Sequence, residues 1–209
     1  MGHAEIARVG IDGVDGAGKS TFADELAAAV TANFGRRVIR AGVDDFHNAR
    51  VVRYRRGRES PDGFYLDSYD YAAFIERLIR PLSPGGSRRY AVAAFDHVAD
   101  RTVDAPELEA PKNAVLIVDG IFLHRPELRS FWDLSVFLDV PFAVSIPRGA
   151  ARGEGWGDPD PAAPCNRRYV EGQRRYLREC APRERSTIVI DNTDLHNPVI
   201  VRDEPGAAS

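Results

Sequence analysis

Gly13-Val14-Asp15-Gly16-Ala17-Gly18-Lys19-Ser20 matches the pattern G-x-x-x-x-G-K-[ST] at every fixed position. Before it, Ile6-Ala7-Arg8-Val9-Gly10-Ile11-Asp12 is short, apolar and partly β-branched, and reads as a buried strand. After it, Lys19 to Phe34 places Phe22, Leu26, Ala29 and Val30 at helical spacing and stops at Gly35. A glycine-rich turn between strand and helix can point its backbone N–H groups inward around phosphate oxygens, and the helix N-terminus adds a favourable partial charge. On this reading Gly13, Asp15, Gly16, Ala17, Gly18, Lys19, Ser20 and Thr21 hold the phosphates of ATP. Lys19 reaches the β- and γ-phosphates, and the Ser20 hydroxyl binds Mg²⁺. The plainer reading, a tight connection with no ligand, is outweighed because strand and helix both stand where the motif requires them.

The rest of the chain alternates in the same way. A second strand, Arg37 to Val43, ends in Asp44-Asp45-Phe46-His47, and residues 48–70 form a polar stretch rich in Arg, Gly and Pro that reads as a loop covering a substrate. Tyr71 to Leu82 reads as a helix stopped by Pro84-Gly85-Gly86, and Tyr90 to Phe95 as a short strand. The continuous apolar run Ala114 to Val118 marks a central parallel strand buried on both faces, leading into Asp119-Gly120. Leu134 to Leu138 is a further strand and Pro141 to Arg152 a helix. Gly153 to Pro164, dense in Gly, Pro and Asp, reads as a mobile lid. Asn166 to Cys180 is a charged helix, Thr187 to Ile190 a last strand, and Asp203 to Ser209 a frayed tail. No internal repeat is evident. Strands alternating with helices imply an α/β sandwich around a mainly parallel sheet.

Composition sets bounds on partners. With 209 residues, 44% of them hydrophobic and 28% charged, the chain is expected to form one domain over residues 1–209. A formal net charge of -3 argues against a general nucleic-acid or anionic-membrane binder. Cys165 and Cys180 are too few for a disulfide framework or a cysteine zinc site, and read as reduced thiols of a cytoplasmic protein. Neither a signal peptide nor a stretch of membrane-spanning length is evident.

A strand that ends in Asp119 supplies the second part expected of an Mg²⁺ site, so Ser20 and Asp119 are the candidate metal ligands. The set GVDGAGKS, then Val43-Asp44-Asp45-Phe46-His47, then Val118-Asp119-Gly120-Ile121, then Arg148 and Arg152 before a lid, resembles the uridine kinase and phosphoribulokinase family over about residues 6–192. The resemblance implies a P-loop NTPase three-layer sandwich with a lid. The implied reaction moves the γ-phosphoryl group of ATP, with Mg²⁺, onto a hydroxyl of a small molecule. It further implies that the aspartate after the second strand takes the proton of the attacking hydroxyl. That position is Asp44, with Asp45 as its rival. Lys19 and two lid arginines, Arg148 and Arg152, would stabilise the charge of the transferring group. In the helix after the lid, Arg167, Arg174 and Arg178 lie around Glu171, by default a salt-bridged face, while Arg167 and Arg168 stand nearest the lid.

Acceptor contacts are expected from Asp44, His47, Tyr54, Tyr65, Tyr69, Phe95 and Asp96, which follow strand ends on the side of the phosphate loop. In uridine kinases a tyrosine and a histidine contact the base, and here the matching places hold Phe95 and Asp100. The aspartate that holds the ribose in that family has its nearest substitutes in Asp67 and Asp70. His47 stands where phosphoribulokinases also carry a histidine, and Arg53 to Gly57 with Ser68-Tyr69-Asp70 resembles a region of bacterial pantothenate kinases. The resemblance points first to the 5′-hydroxyl of a nucleoside such as uridine or cytidine. The alternatives are pantothenate, a sugar phosphate or a secondary metabolite, and, from another class, a nucleotide-dependent switch with no acceptor. Expected partners are ATP and the acceptor alone, without nucleic acid or membrane, and family members are often homo-oligomers.

Overall fold

The computed structural model describes residues 6–153 and 157–203. In chain order the elements are β1 (Ala7–Gly13), α1 (Lys19–Phe34), β2 (Val38–Gly42), α2 (Arg50–Arg53), α3 (Pro61–Asp67), α4 (Tyr71–Phe74), β3 (Arg89–Tyr90), β4 (Phe95–Asp96), β5 (Arg101–Thr102) and β6 (Leu108–Glu109). They continue with β7 (Val115–Asp119), β8 (Leu134–Asp139), α5 (Phe142–Ala150), α6 (Arg167–Cys180), α7 (Pro182–Arg185), β9 (Ile188–Asp191) and β10 (Val199–Asp203). Six strands make one sheet in the order β10-β9-β8-β1-β7-β2. All its pairs are parallel except β10 on β9.

The apolar run predicted to be buried on both faces is β7, and its residues alternate between two cores. Val115 and Ile117 join Ile11, Ala23 and Leu138 in one apolar cluster, while Leu116 and Val118 join Phe46, Phe64, Phe74 and Phe122 in another. Pairing of Gly42 and of Ile11 with Asp119 brings the carboxyl ends of β2, β1 and β7 level. The loops leaving those three ends therefore meet in one crevice, where ligands bind in open α/β sheets.

Several elements differ from the sequence reading. The stretch 48–70 is not an open loop: it contains α2 and α3. Pro61 at the start of α3 and Ser60, whose Oγ accepts from Gly63 N–H at 3.1 Å, are a sufficient helix-start signal, and Phe64 and Tyr65 fasten the helix to the core. The expected helix Tyr71 to Leu82 begins as α4 but passes into a π-turn over Ile75–Ile79, where Arg80 N–H donates to Ile75 O at 2.8 Å. The expected strand Tyr90 to Phe95 is broken: β3 pairs with β6 and β4 with β5. β10 was not foreseen, because the chain turns back antiparallel after β9 and its apolar residues remain exposed. Asp203, expected to begin a tail, is the last residue of β10, and 204–209 lie outside the described residues. Of the expected lid, residues 154–156 also lie outside them, and 157–163 run as turns and bends.

Candidate active site

The phosphate loop is built as its sequence requires. Gly16 has φ +75° and a Cβ there would collide with the Ser145 carbonyl oxygen, while Gly18, which starts α1, has φ +91° and lies against Asn192 Nδ2. The loop is clamped from two later elements. From the end of β9, Asn192 Nδ2 donates to Ala17 O at 2.7 Å. From α6, Gln173 Oε1 accepts from Asp15 N–H at 2.7 Å while its Nε2 donates to Asp15 Oδ2 at 3.1 Å. Burial pushes the Asp15 carboxyl above the usual carboxylate range, an effect opposed by Lys19 and reinforced by Asp44. Lys19 Nζ donates to Val14 O at 2.8 Å, within the loop it would lend to phosphates.

Ser20 Oγ donates to Asp119 Oδ2 at 2.7 Å, and Arg40 Nη2 donates to Asp119 Oδ1 at 2.9 Å. A hydroxyl and a carboxylate side by side, with the loop beside them, are the hard oxygen donors that suit Mg²⁺, which usually takes few protein ligands and completes its shell with water and substrate phosphate. Among the described residues no group of three or more His, Cys, Asp or Glu could hold a metal without such help. The donor set therefore fits Mg²⁺ delivered with ATP.

Asp44 lies just past β2, in a 3-10 turn over Val43–Phe46. Tyr69 donates its hydroxyl to Asp44 Oδ1 at 2.7 Å, and the His47 ring packs against Tyr69 with centroids 4.6 Å apart and planes tilted by 48°. His47 Nδ1 lies 2.7 Å from Asp44 O. Because a carbonyl only accepts, Nδ1 carries the proton and Nε2 is left as an acceptor. Burial lowers the His47 pKa, against the opposing pull of Asp44, so the ring stays neutral at ordinary pH. Asp45 shares the turn but not the cavity, and burial together with Asp44 raises its carboxyl.

One cavity of about 540 Å³ joins these parts, lined by Asp15 of the phosphate loop, by Asp44, His47 and Tyr69, and by Tyr54, Phe64 and Tyr169 among others. Arg53, Arg168 and Asn166 also line it, and none of the three was among the expected acceptor contacts. Asn166, just after the stretch expected to be a lid, holds the second half of that stretch: its Nδ2 donates to Asp158 O at 2.7 Å and Asp160 O at 2.8 Å. Arg168 donates to the backbone carbonyls of Arg53, Gly57, Arg58 and Ser60, which ties α6 to the segment over the site. Arg174 is engaged by Glu171 at 2.6 Å, the surface pairing that the helix pattern suggests.

Not every expected residue reaches the cavity. Tyr65 is buried with its hydroxyl 3.3 Å from Cys180 Sγ, and Phe95 is buried in β4. Asp96 uses Oδ1 to accept from the N–H groups of Val98 and Ala99, both at 3.0 Å. None of the three lines the cavity. Asp67 is pinned by Arg55 and Arg56, and Asp70 caps α4 by accepting from Ala73 N–H. Arg148, in the last turn of α5, donates to Asn192 O at 3.2 Å and Thr193 O at 2.8 Å. Arg152 follows that helix, close enough to Asp15 to pull its carboxyl down.

No protein-family model matches the chain. A Schizosaccharomyces pombe protein assigned as a uridine kinase is 28% identical over 167 residues, covering 72% of this chain and 67% of that protein. The structure of a Bacillus stearothermophilus protein assigned as a uridine kinase superposes with a TM-score of 0.69 at 26% identity, over 90% of both chains. A Silicibacter protein assigned as a fructose transport system kinase superposes at 0.67 with 27% identity, over 83% of this chain and 85% of that one. Phosphoribulokinase from Rhodobacter, at 14% identity, a TM-score of 0.59 and coverage of 99% of this chain and 77% of its own, shares the fold.

Proposed function

We propose that the chain, which is similar to uridine kinases in sequence and shares its fold with phosphoribulokinase, is a P-loop phosphotransferase acting on a hydroxyl, and that its acceptor is a small molecule seated in the cavity beside Asp44. The observation that carries this reading is that Asp15, in the phosphate loop, and Asp44, beyond β2, line the same cavity. ATP with Mg²⁺ supplies the phosphoryl group and offsets its charge. Ser20 and Asp119 are the residues that would hold the metal, and the backbone of residues 13–20 with Lys19 would hold the phosphates.

Asp44 accepts the proton of the attacking hydroxyl. Its Oδ1 is fixed by Tyr69, which leaves Oδ2 for the acceptor. Neutral His47 accepts a second hydrogen bond from the acceptor through Nε2, and so helps to set which hydroxyl faces Asp44. Arg148 and Arg152 close over the transfer from the side of the lid. A nucleoside 5′-hydroxyl is the first acceptor class. The relatives assigned as uridine kinases support it, as do Tyr54, Phe64 and Tyr169, which offer faces for a base. An acceptor with no base is the second class, favoured by the arginines of the lining and by the fructose-kinase assignment of one neighbour.

The test is ADP release from Mg-ATP across uridine, cytidine, pantothenate, fructose and pentose phosphates, with the product identified by mass. Acceptor-dependent ADP and a phosphorylated product support the proposal. ADP formed at one slow rate, whatever alcohol is added, would leave only an ATPase.

A further inference from the structure

The cavity has one wall built for transfer and another whose charge that chemistry does not use. Arg53 is 9% exposed, and its Nε is fully enclosed without a hydrogen-bond partner among the described residues. Its Nη2 makes only long contacts, 3.3 Å to His97 O and 3.5 Å to Asp100 Oδ1. Asp100 already accepts from Arg50 N–H at 2.8 Å. Arg50, on the same wall, donates Nη2 to Val98 O at 3.0 Å and forms no ion pair among the described residues. Arg168 completes the wall: its hydrogen bonds go to backbone carbonyls, and its guanidinium lies over the Tyr54 and Phe64 rings, 5.0 and 5.7 Å from their centroids. A buried guanidinium whose ion pair is a 3.5 Å contact to a carboxylate oxygen already shared with Arg50 N–H is only partly compensated, and such groups are retained where a ligand completes them. The carboxylates of the lining, Asp15 and Asp44, belong to the phosphate loop and the transfer site.

We propose that the wall decides between the two acceptor classes in favour of the second: the acceptor is a hydroxylated anion, bearing a phosphate or a carboxylate, whose charged end rests on Arg53 and Arg50 while its hydroxyl faces Asp44. This rests on the reading of Asp44 as the acceptor site. Guanidinium groups match both oxyanions in geometry, and the lone pair of His47 Nε2 accepts from a further hydroxyl of the same molecule. A neutral nucleoside would leave the arginine wall as it stands. The enclosed polar atoms on this side therefore select for charge, and the aromatic residues pack the stem between the two ends.

Matched acceptors that differ in charge test this: D-ribose against D-ribose 5-phosphate, and glycerol against D-glycerate, with uridine alongside. In wild type the anionic member of at least one pair is expected to show a kcat/KM at least about tenfold above its neutral partner, the scale of one charge-assisted contact. Which pair responds separates phosphate from carboxylate. Arg53→Gln and, at the more exposed position, Arg50→Gln should each raise KM for that anion about tenfold while KM for ATP stays as in wild type. Should Arg53→Gln fail to fold, Arg50→Gln carries the same reading. Equal or better use of the neutral members or of uridine, with the arginine variants unchanged, overturns the inference and leaves the kinase reading in place. Turnover that survives Asp44→Asn on every acceptor overturns the reading on which it rests. If no acceptor is turned over, inorganic phosphate titrated in the presence of a non-hydrolysable ATP analogue decides: stabilisation lost in both arginine variants supports the site, and no stabilisation removes it.

Discussion

Gln173 was not legible as a functional residue in the sequence, yet it is almost wholly buried and carries the pairing that holds the phosphate loop to α6. Gln173→Ala takes the acceptor from Asp15 N–H and the donor from Asp15 Oδ2, and leaves a small void. An unsatisfied buried N–H costs about 1–3 kcal/mol, and with the lost bond to a carboxylate the sum is about 3 kcal/mol. For a domain of this size each kcal/mol lowers Tm by about 2–4 °C, so a fall of roughly 6–12 °C is expected. A loosened loop should also weaken ATP, by about tenfold if half of that energy reaches the site. Gln173→Glu sharpens the case. It keeps an acceptor for the N–H but sets a second carboxylate against Asp15, whose own carboxyl burial already pushes up, so its loss of stability should ease as pH falls. Melting curves and ATP titration calorimetry read both effects. A Gln173→Ala protein that melts within about 1 °C of wild type and binds ATP equally would refute the clamp.

Ser20→Ala and Asp119→Asn should each raise the Mg²⁺ concentration needed for half-maximal turnover by at least about tenfold, read in a metal titration at saturating ATP, since each removes one of two candidate ligands. Gly16→Ala should abolish ATP binding even where the protein is recovered folded, because its Cβ meets Ser145 O at φ +75°. Burial raises the Asp67 carboxyl, but the hydrogen bonds from Arg55 and Arg56 outweigh it and hold the carboxyl below its usual range. Its contribution to stability is thus present above the ordinary carboxylate pKa and is lost as pH falls through the lowered one. Asp67→Asn should flatten the fall of Tm below about pH 4 relative to wild type, and equal slopes would remove Asp67 from the acid response.

What could be read in the sequence was local. The phosphate loop needs a strand, two glycines at fixed spacing before Lys19 and Ser20, and a helix start in order, and β7 announces itself because burial on both faces leaves Val115 to Val118 without a polar position. Asp119 and Ser20 follow from those two elements and stand 2.7 Å apart. The cavity wall was less legible because its residues meet only through tertiary packing. Arg53, Asn166, Arg168 and Gln173 all sit in charged or polar stretches where a solvated face is the usual outcome, and burial alone distinguishes them. Tyr65 was expected in the pocket because an aromatic residue beside a site suggests stacking, and Phe95 because it holds the place of a base-contacting tyrosine of uridine kinases, whereas α3 and β4 bury both away from the cavity. β10 carried no signal, because an exposed edge strand lacks the alternation that marks a half-buried one.

The central claim is that Asp44 accepts the proton in phosphoryl transfer. Acceptor-dependent ADP release by Asp44→Asn beside wild type, with ATP affinity measured on the same samples and Lys19→Ala as the phosphate-contact control, tests it most directly. Asp44→Asn should bind ATP as wild type does and lose turnover by about 10²–10⁴-fold, the range for a positioned general base, while Lys19→Ala loses both. Wild-type turnover in Asp44→Asn, on any acceptor the enzyme uses, would contradict the account.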